Sequence, residues 1–202
     1  MRTVLLVCTG NTCRSPMAEA MLKELASRAG KQVEVRSAGV AAIDGSPISP
    51  QAAELLERRE LPSVGPSRAL TEDLVNWADL ILGMTSSHKQ AVVQLHPNAV
   101  GKTYVLKEFA LQGDARMKDV EEAERLYTDW QIRLATGQPV DEAAYGRLME
   151  LQRSLPDFDI ADPFGGSMAM YEKSADEIFE ALGRVVDKLD PAADASQERD
   201  QE

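Results

Sequence analysis

Cysteine, histidine and aromatic side chains are all scarce in this chain: its 202 residues include two cysteines, two histidines and only 5% Phe, Trp and Tyr. Cys8 and Cys13, both near the N-terminus, cannot build the network of bridges that a disulfide-stapled fold requires, so a reducing compartment fits. His88 and His96 lack a third ligand at metal-binding spacing, which argues against a metal site and leaves both expected as surface helix residues. Basic residues are also in deficit: 22 Lys and Arg face 33 Asp and Glu, for a net charge of -11. A polyanion would be repelled, and no basic stripe interleaved with aromatics occurs, so nucleic acid is not an expected partner. No segment approaches the roughly 20 apolar residues that span a bilayer, and the apolar start at residues 3–7 is far shorter than a secretory core. A cytoplasmic protein with no membrane partner is expected.

A hydrophobic content of 44% over this length suits one domain with a sizeable core. Residues 3–7 read T-V-L-L-V, the unbroken β-branched and leucine run of a strand buried on both faces, as parallel sheets require. After a loop, Pro16 opens a helical pattern carried by Met17, Met21, Leu22 and Leu25, with Ser15 expected at the N-cap and Gly30 past the end. Further strands are expected at 33–37, 80–84 and 103–106, and helices at 50–59, 87–95 and 173–189. Such alternation predicts a parallel sheet covered on both faces, the doubly wound α/β architecture, with ligands at the carboxyl ends of the strands.

Residues 112–157 differ in texture: charged, helix-favouring sequence that reads as two amphipathic helices separated at 136–139, where Gly137 and Pro139 punctuate. The expected organisation is one domain over 1–190 with this helical segment inserted, followed by a tail, 191–202, too poor in large apolar groups to order. Trp77 and Trp130 fall in amphipathic segments and are read as packing residues.

Chemistry concentrates where the first strand ends. Cys8 is followed by T-G-N-T-C and then Arg14 and Ser15, giving C-x5-R-S directly before a helix. The spacing alone recurs by chance in roughly one such chain in ten, and a lone cysteine at a strand end is as often a small buried hydrophobe. Placement gives the pattern its meaning. A thiolate is stabilised by converging backbone N–H groups, a helix N-terminus and a guanidinium. The same loop, Thr9, Gly10, Asn11, Thr12, Cys13 and Ser15, could cradle a phosphoryl dianion while Arg14 holds two of its oxygens. Asn11 tolerates left-handed backbone, and Ser15 can bond the thiolate or cap the helix. Phosphoryl transfer also needs an acid and then a base. Asp162, in D-I-A-D-P-F-G-G-S, is the candidate because Pro163 disfavours helix and the glycines mark a loop, although an aspartate before proline is commonly a turn former.

The segments C-T-G-N-T-C-R-S-P-M-A-E-A from Cys8, R-S-A-G at 36–39 and D-P-F-G-G-S at 162–167 together resemble the low-molecular-weight protein tyrosine phosphatase family. The resemblance covers 1 to about 111 and about 159 to 190. It implies a flavodoxin-like four-stranded sheet, no metal or organic cofactor, and phosphorylated proteins as partners of what is expected to be a monomer. By this resemblance Cys8 is the nucleophile, Arg14 the phosphate binder, Asp162 the general acid, and Asn11, Ser15 and Ser37 supports of the loop. Cys13 resembles the second cysteine with which family members form a reversible disulfide to Cys8 under oxidation.

Within the family, Thr12 stands where tyrosine-specific members carry a bulkier aliphatic residue, and Phe164 where they carry tyrosine. In these two specificity positions the chain looks like the bacterial protein-arginine phosphatases. A threonine hydroxyl at the pocket wall could orient a planar guanidinium, while the alternative is a neutral loop variant. Phosphoarginine on proteins is therefore the preferred substrate and phosphotyrosine the second. The segment at 112–157 departs from the compact family pattern and reads as a solvated decoration, or else as a lid. Arsenate reductases of this fold need a further cysteine relay that this chain lacks. A non-catalytic phosphate-binding or redox-sensing module is the remaining alternative, but it would need neither nucleophile nor acid.

Overall fold

In a computed structural model, residues 3–189 are described; the tail expected at 191–202 lies outside them. The four strands are β1 Thr3–Cys8, β2 Glu34–Gly39, β3 Leu80–Gly83 and β4 Thr103–Val105. All pair in parallel in the order β2-β1-β3-β4. The helices are α1 Arg14–Arg28, α2 Pro50–Arg58, α3 Glu72–Trp77, α4 Ser86–Leu95, α5 Leu106–Leu111, α6 Arg116–Thr136, α7 Glu142–Ser154 and α8 Met168–Lys188, with a 3-10 turn at Pro97–Lys102.

The chain divides into two compact units, 111–157 and the remainder. In the larger one, alternate residues of β1 feed two apolar layers, because successive side chains leave a strand on opposite faces. Val4 and Leu6 join α1, α2 and α8 on one face; Leu5 and Val7 join Val75 of α3 and Val92 of α4 on the other. These four β1 side chains are fully buried, which accounts for the absence of polar alternation in T-V-L-L-V. Each contributes on the order of 1.5–3 kcal/mol through burial.

The chain runs from β1 to β2 on one side of the sheet, then returns past β1 to β3 on the other. That reversal opens a crevice at the carboxyl end of β1, where Cys8 stands. β2 comes close to the loop there: a Cβ on Gly39 would sit 2.4 Å from the Thr9 carbonyl oxygen and 2.8 Å from the Asn11 nitrogen. Only glycine permits the approach.

The smaller unit holds α6 and α7, packed through Ala123, Leu148 and Leu151. Gly137 ends α6 in left-handed backbone (φ 70°), and Asp141 caps α7 by accepting from Ala143 and Ala144 N–H.

Three expectations are corrected. Helix α1 begins at Arg14 with Cys13 at the N-cap, so Ser15 does not cap it and lies inside its first turn. Helix α8 starts at Met168 rather than 173, directly after the glycine turn. Helices α3 and α5 went unanticipated; at six residues each they are too short to display a period.

Candidate active site

Every residue singled out in the loop lies between the end of β1 and the first turn of α1. The carbonyls of Cys8, Thr9 and Thr12 accept from the N–H groups of Val40, Ala41 and Ser49 at 3.0, 2.9 and 2.8 Å. Three of the loop's carbonyls are thereby committed to the segment after β2, as in an anion-binding nest, where the N–H groups are the ones kept for the ligand. Asn11 makes this turn with φ 52°, in the left-handed region.

The hydrogen bonds around Cys8 fix a direction for the protons. Glu19, buried on α1, accepts from Ser37 Oγ at 2.6 Å and from Lys23 Nζ at 2.6 Å. Having donated to that carboxylate, Ser37 Oγ accepts from Asn11 Nδ2 at 2.9 Å. The same amide donates to Ser15 Oγ at 2.9 Å, while Asn11 Oδ1 accepts from Arg68 N–H at 2.8 Å, which settles which way the amide faces. Ser15 is left with one proton to give, and Cys8 Sγ stands 3.0 Å from its oxygen, nearer than the Ala38 carbonyl at 3.4 Å. With Cys8 as a thiolate, which can only accept, the buried chain Glu19–Ser37–Asn11–Ser15 ends as a donor to sulfur, the bond that stabilises that form; with Cys8 as a thiol, Ser15 can give its proton to the Ala38 carbonyl instead.

Arg14 closes the loop. Its guanidinium is nearly buried and donates to the Ile160 carbonyl at 3.1 Å and to Asp162 Oδ2 at 2.7 Å. Asp162 is about half exposed, and its other oxygen accepts from Phe164 N–H at 3.1 Å. This loop is pinned from behind by Ile160 N–H to the Met84 carbonyl and by Ser174 Oγ to the Ala161 carbonyl. Residues separated by 148 positions therefore meet at the crevice. Phe164 is 76% exposed, its ring turned to solvent on the Asp162 loop.

Thr12 is half-buried, its hydroxyl 3.6 Å from Cys13 Sγ. Cys13 is buried with its sulfur 3.2 Å from the Tyr171 hydroxyl, and both cysteines are free thiols. Burial, and then the bond to Cys13, push the Tyr171 hydroxyl above the ordinary tyrosine range.

Two members of the site escaped the sequence reading. Glu19 sits one helical turn beyond Ser15, spaced to face the same way, but the partner that ties it to the site, Ser37, comes from β2. His88 overturns its assignment as a surface residue: it is buried, with Nε2 2.9 Å from Thr9 Oγ1 and Nδ1 2.8 Å from Thr85 Oγ1. Burial and the nearby Arg14 cation lower its pKa from 6.5 to about 4, against the pull of Asp162 and Asp159. The available signal was topological, since a strand beside β1 must deliver the residues that follow it to the same crevice. His96 is half-buried at the end of α4. Among the described residues, no three His, Cys, Asp or Glu side chains are grouped to hold a metal ion, and no helix is long and apolar enough to cross a membrane.

A protein-arginine-phosphatase of Bacillus subtilis is 34% identical over 186 residues, covering 92% of this chain and 95% of that protein. Its counterpart in Geobacillus stearothermophilus is 33% identical with the same coverage. A probable low molecular weight protein-tyrosine-phosphatase of Ralstonia solanacearum is 40% identical, over 54% of this chain and 72% of its own. Among solved structures, a YwlE mutant from B. subtilis superposes with a TM-score of 0.69 at 31% identity, covering 93% of this chain and 98% of that one. A YwlE arginine phosphatase mutant with a phosphorylated active-site serine also gives 0.69, at 32% identity, covering 92% and 94%. The family profile described as low molecular weight phosphotyrosine protein phosphatase matches residues 3–154. This chain is a member of that family.

Proposed function

We propose that the protein hydrolyses phosphoarginine on proteins through a cysteinyl-phosphate intermediate. The observation that carries this reading is the loop joining Cys8 to Arg14, with Asp162 bonded to that arginine at 2.7 Å. Cys8 Sγ, as thiolate, attacks phosphorus and the P–N bond breaks. Asp162, protonated for this step, gives its proton to the departing guanidine nitrogen. Water then attacks the phosphocysteine and gives a proton to Asp162, and the S–P bond breaks to release phosphate and restore the thiolate. Arg14 and the N–H groups of residues 9–13 hold the equatorial oxygens as charge spreads over them. The relative with a phosphorylated active-site serine supports a covalent step at the position of Cys8.

Arginine as the leaving group is supported by the likeness to protein-arginine phosphatases over 92% of the chain and by the Thr12 hydroxyl in the loop. Phe164, exposed beside Asp162, would flank the substrate. The second reading, a protein-tyrosine phosphatase, is favoured by the family profile and by the Ralstonia relative. In either case Cys13 serves as a redox partner that captures oxidised Cys8 as a disulfide. Residues 1–190 act as one monomeric, cytoplasmic phosphatase domain carrying 112–157 as an insertion.

Reduced protein assayed on phosphoarginine and phosphotyrosine peptides in parallel tests the reading. Phosphoarginine turnover should dominate, fall by at least roughly 10^4-fold in Cys8→Ser, and shift toward phosphotyrosine in Thr12→Ile. A wild-type preference for phosphotyrosine would sink the arginine assignment and leave the mechanism standing.

A further inference from the structure

The corner between β3 and α4 touches both loops of the site. Met84 at its start accepts from Ile160 N–H at 2.9 Å, and Ser86 donates to Asp159 Oδ1 through its backbone N–H at 2.7 Å and its hydroxyl at 3.0 Å. These bonds mount the segment that carries Asp162. From the same corner His88 reaches the other way, with Nε2 2.9 Å from Thr9 Oγ1, on the residue directly after Cys8.

The imidazole is built in rather than incidental. Its Nδ1 meets Thr85 Oγ1 at 2.8 Å, and the Thr85 hydroxyl is the N-cap of α4, accepting from His88 N–H at 3.3 Å. A Cβ on Gly83 would lie 3.0 Å from Lys89 N and 3.2 Å from His88 Cβ, so the first turn of α4 packs directly on the strand end and fixes the backbone from which the ring projects. A neutral ring has one donor and one acceptor, which suits two hydroxyl partners that can each play either part. Burial and then the Arg14 cation favour the neutral ring, against the opposing influence of the Asp162 and Asp159 carboxylates. Thr9 itself is exposed. Without the ring its hydroxyl would turn freely in water, and Thr9 would keep only the backbone bonds from Val40 N–H to the Cys8 carbonyl and from Ala41 N–H to its own carbonyl, both from the side of β2.

We propose that His88 is a positioning residue that locks the phosphate loop, through the Thr9 hydroxyl, to the corner carrying the Asp162 loop, and so holds nucleophile and acid in register. The proposal rests on the reading of residues 8–14 as the phosphate site. It assigns His88 no contact with substrate and no proton transfer. Its effect belongs to the transition state, where attack on phosphorus and protonation of the leaving group must coincide; a substrate can bind to a loop slightly out of register.

The test compares wild type, Thr9→Val, His88→Ala, His88→Gln and the Thr9→Val/His88→Ala double variant on the better of the two phosphopeptides, with kcat and KM measured separately. Loss of the shared bond should lower kcat about tenfold, the worth of about one hydrogen bond, and leave KM within about twofold. The double variant should be no slower than the slower single one, because both remove the same link. His88→Gln, whose amide can replace Nε2, should recover most of kcat. If His88→Ala fails to fold, Thr9→Val reads the same bond from its exposed partner. Unchanged kcat in Thr9→Val, multiplying losses in the double variant, or an effect confined to KM would overturn the proposal while the phosphatase reading stands. Wild-type protein inactive on both peptides would overturn that reading and the proposal with it.

Discussion

Around Cys8 local bonds such as Asn11–Ser15 are joined by partners brought from distant segments of the sheet and its loops, whereas polar side chains of the α6–α7 hairpin find theirs one turn away or on the adjoining helix. Near the crevice, Asn11 reaches Ser37 and Arg68, Arg14 reaches Asp162, and Thr9 reaches His88. On the hairpin, Arg133 pairs with Asp129 and Gln131 with Tyr127 at i,i+4, and Arg147 crosses to Glu122. The apolar groups follow the same division. β1 is closed on both faces, while Ile132 and Leu134 of the hairpin stay more than half exposed. A site assembled from distant segments needs a rigid sheet to bring them together; a hairpin of local contacts can form with far less.

Four measurements would break or sharpen that contrast. Asp162→Asn removes the ionisable group yet can still accept from Arg14, so kcat should fall by about 10^2 to 10^4-fold with little change in the unfolding midpoint. A large loss of stability instead would show that the site and its scaffold are not separable. Core truncation should act the other way. Leu6→Ala, in the fully buried face of β1, should cost about 2–5 kcal/mol of global stability, whereas Leu148→Ala should speed amide exchange in α6 and α7 and leave kcat unchanged. A parallel fall in kcat would tie the hairpin to the chemistry.

The third is a titration. His88 has a folded pKa of about 4, below its value of 6.5 when unfolded, so the unfolded chain takes up the proton first. Its contribution is complete above pH 6.5 and drains away as pH falls toward 4, by on the order of 2–3 kcal/mol. The difference in unfolding free energy between wild type and His88→Gln, measured from pH 7 to 4, should narrow across that window. A constant difference would mean the ring is not held neutral. The smallest effect is expected on the hairpin surface. Arg147 holds the Glu122 carboxyl below its ordinary range, but both groups face solvent, so Arg147→Ala should leave the melting midpoint within error.

The division also explains what could be read from the sequence. All four strands were legible within about two residues, and β1 and β3 most directly, because burial on both faces leaves the apolar runs at residues 3–7 and 80–82. The break between α6 and α7 was legible from Gly137, whose positive φ is a local property. Cys8 and Arg14 stood out by spacing and loop chemistry, Asp162 was singled out by its loop and by the family resemblance, and Arg14 and Asp162 meet at the crevice beside Cys8. Glu19 and His88 did not stand out, because a glutamate and a histidine on helices look like surface until the sheet order is known. Of the two readings of Ser15, the N-cap is a local pattern and fails, while a bond to the Cys8 sulfur fits the 3.0 Å contact between them.

The ion pair between Arg14 and Asp162 has a consequence for turnover. On the proposed reading, an anion entering the loop displaces a carboxylate tethered to the same chain, and not merely water. That tether is an internal competitor at high effective concentration. Once Asp162 has lost the proton it took from water, its return to Arg14 competes with inorganic phosphate as it does with substrate, so on this reading the group that completes the reaction also helps the product leave.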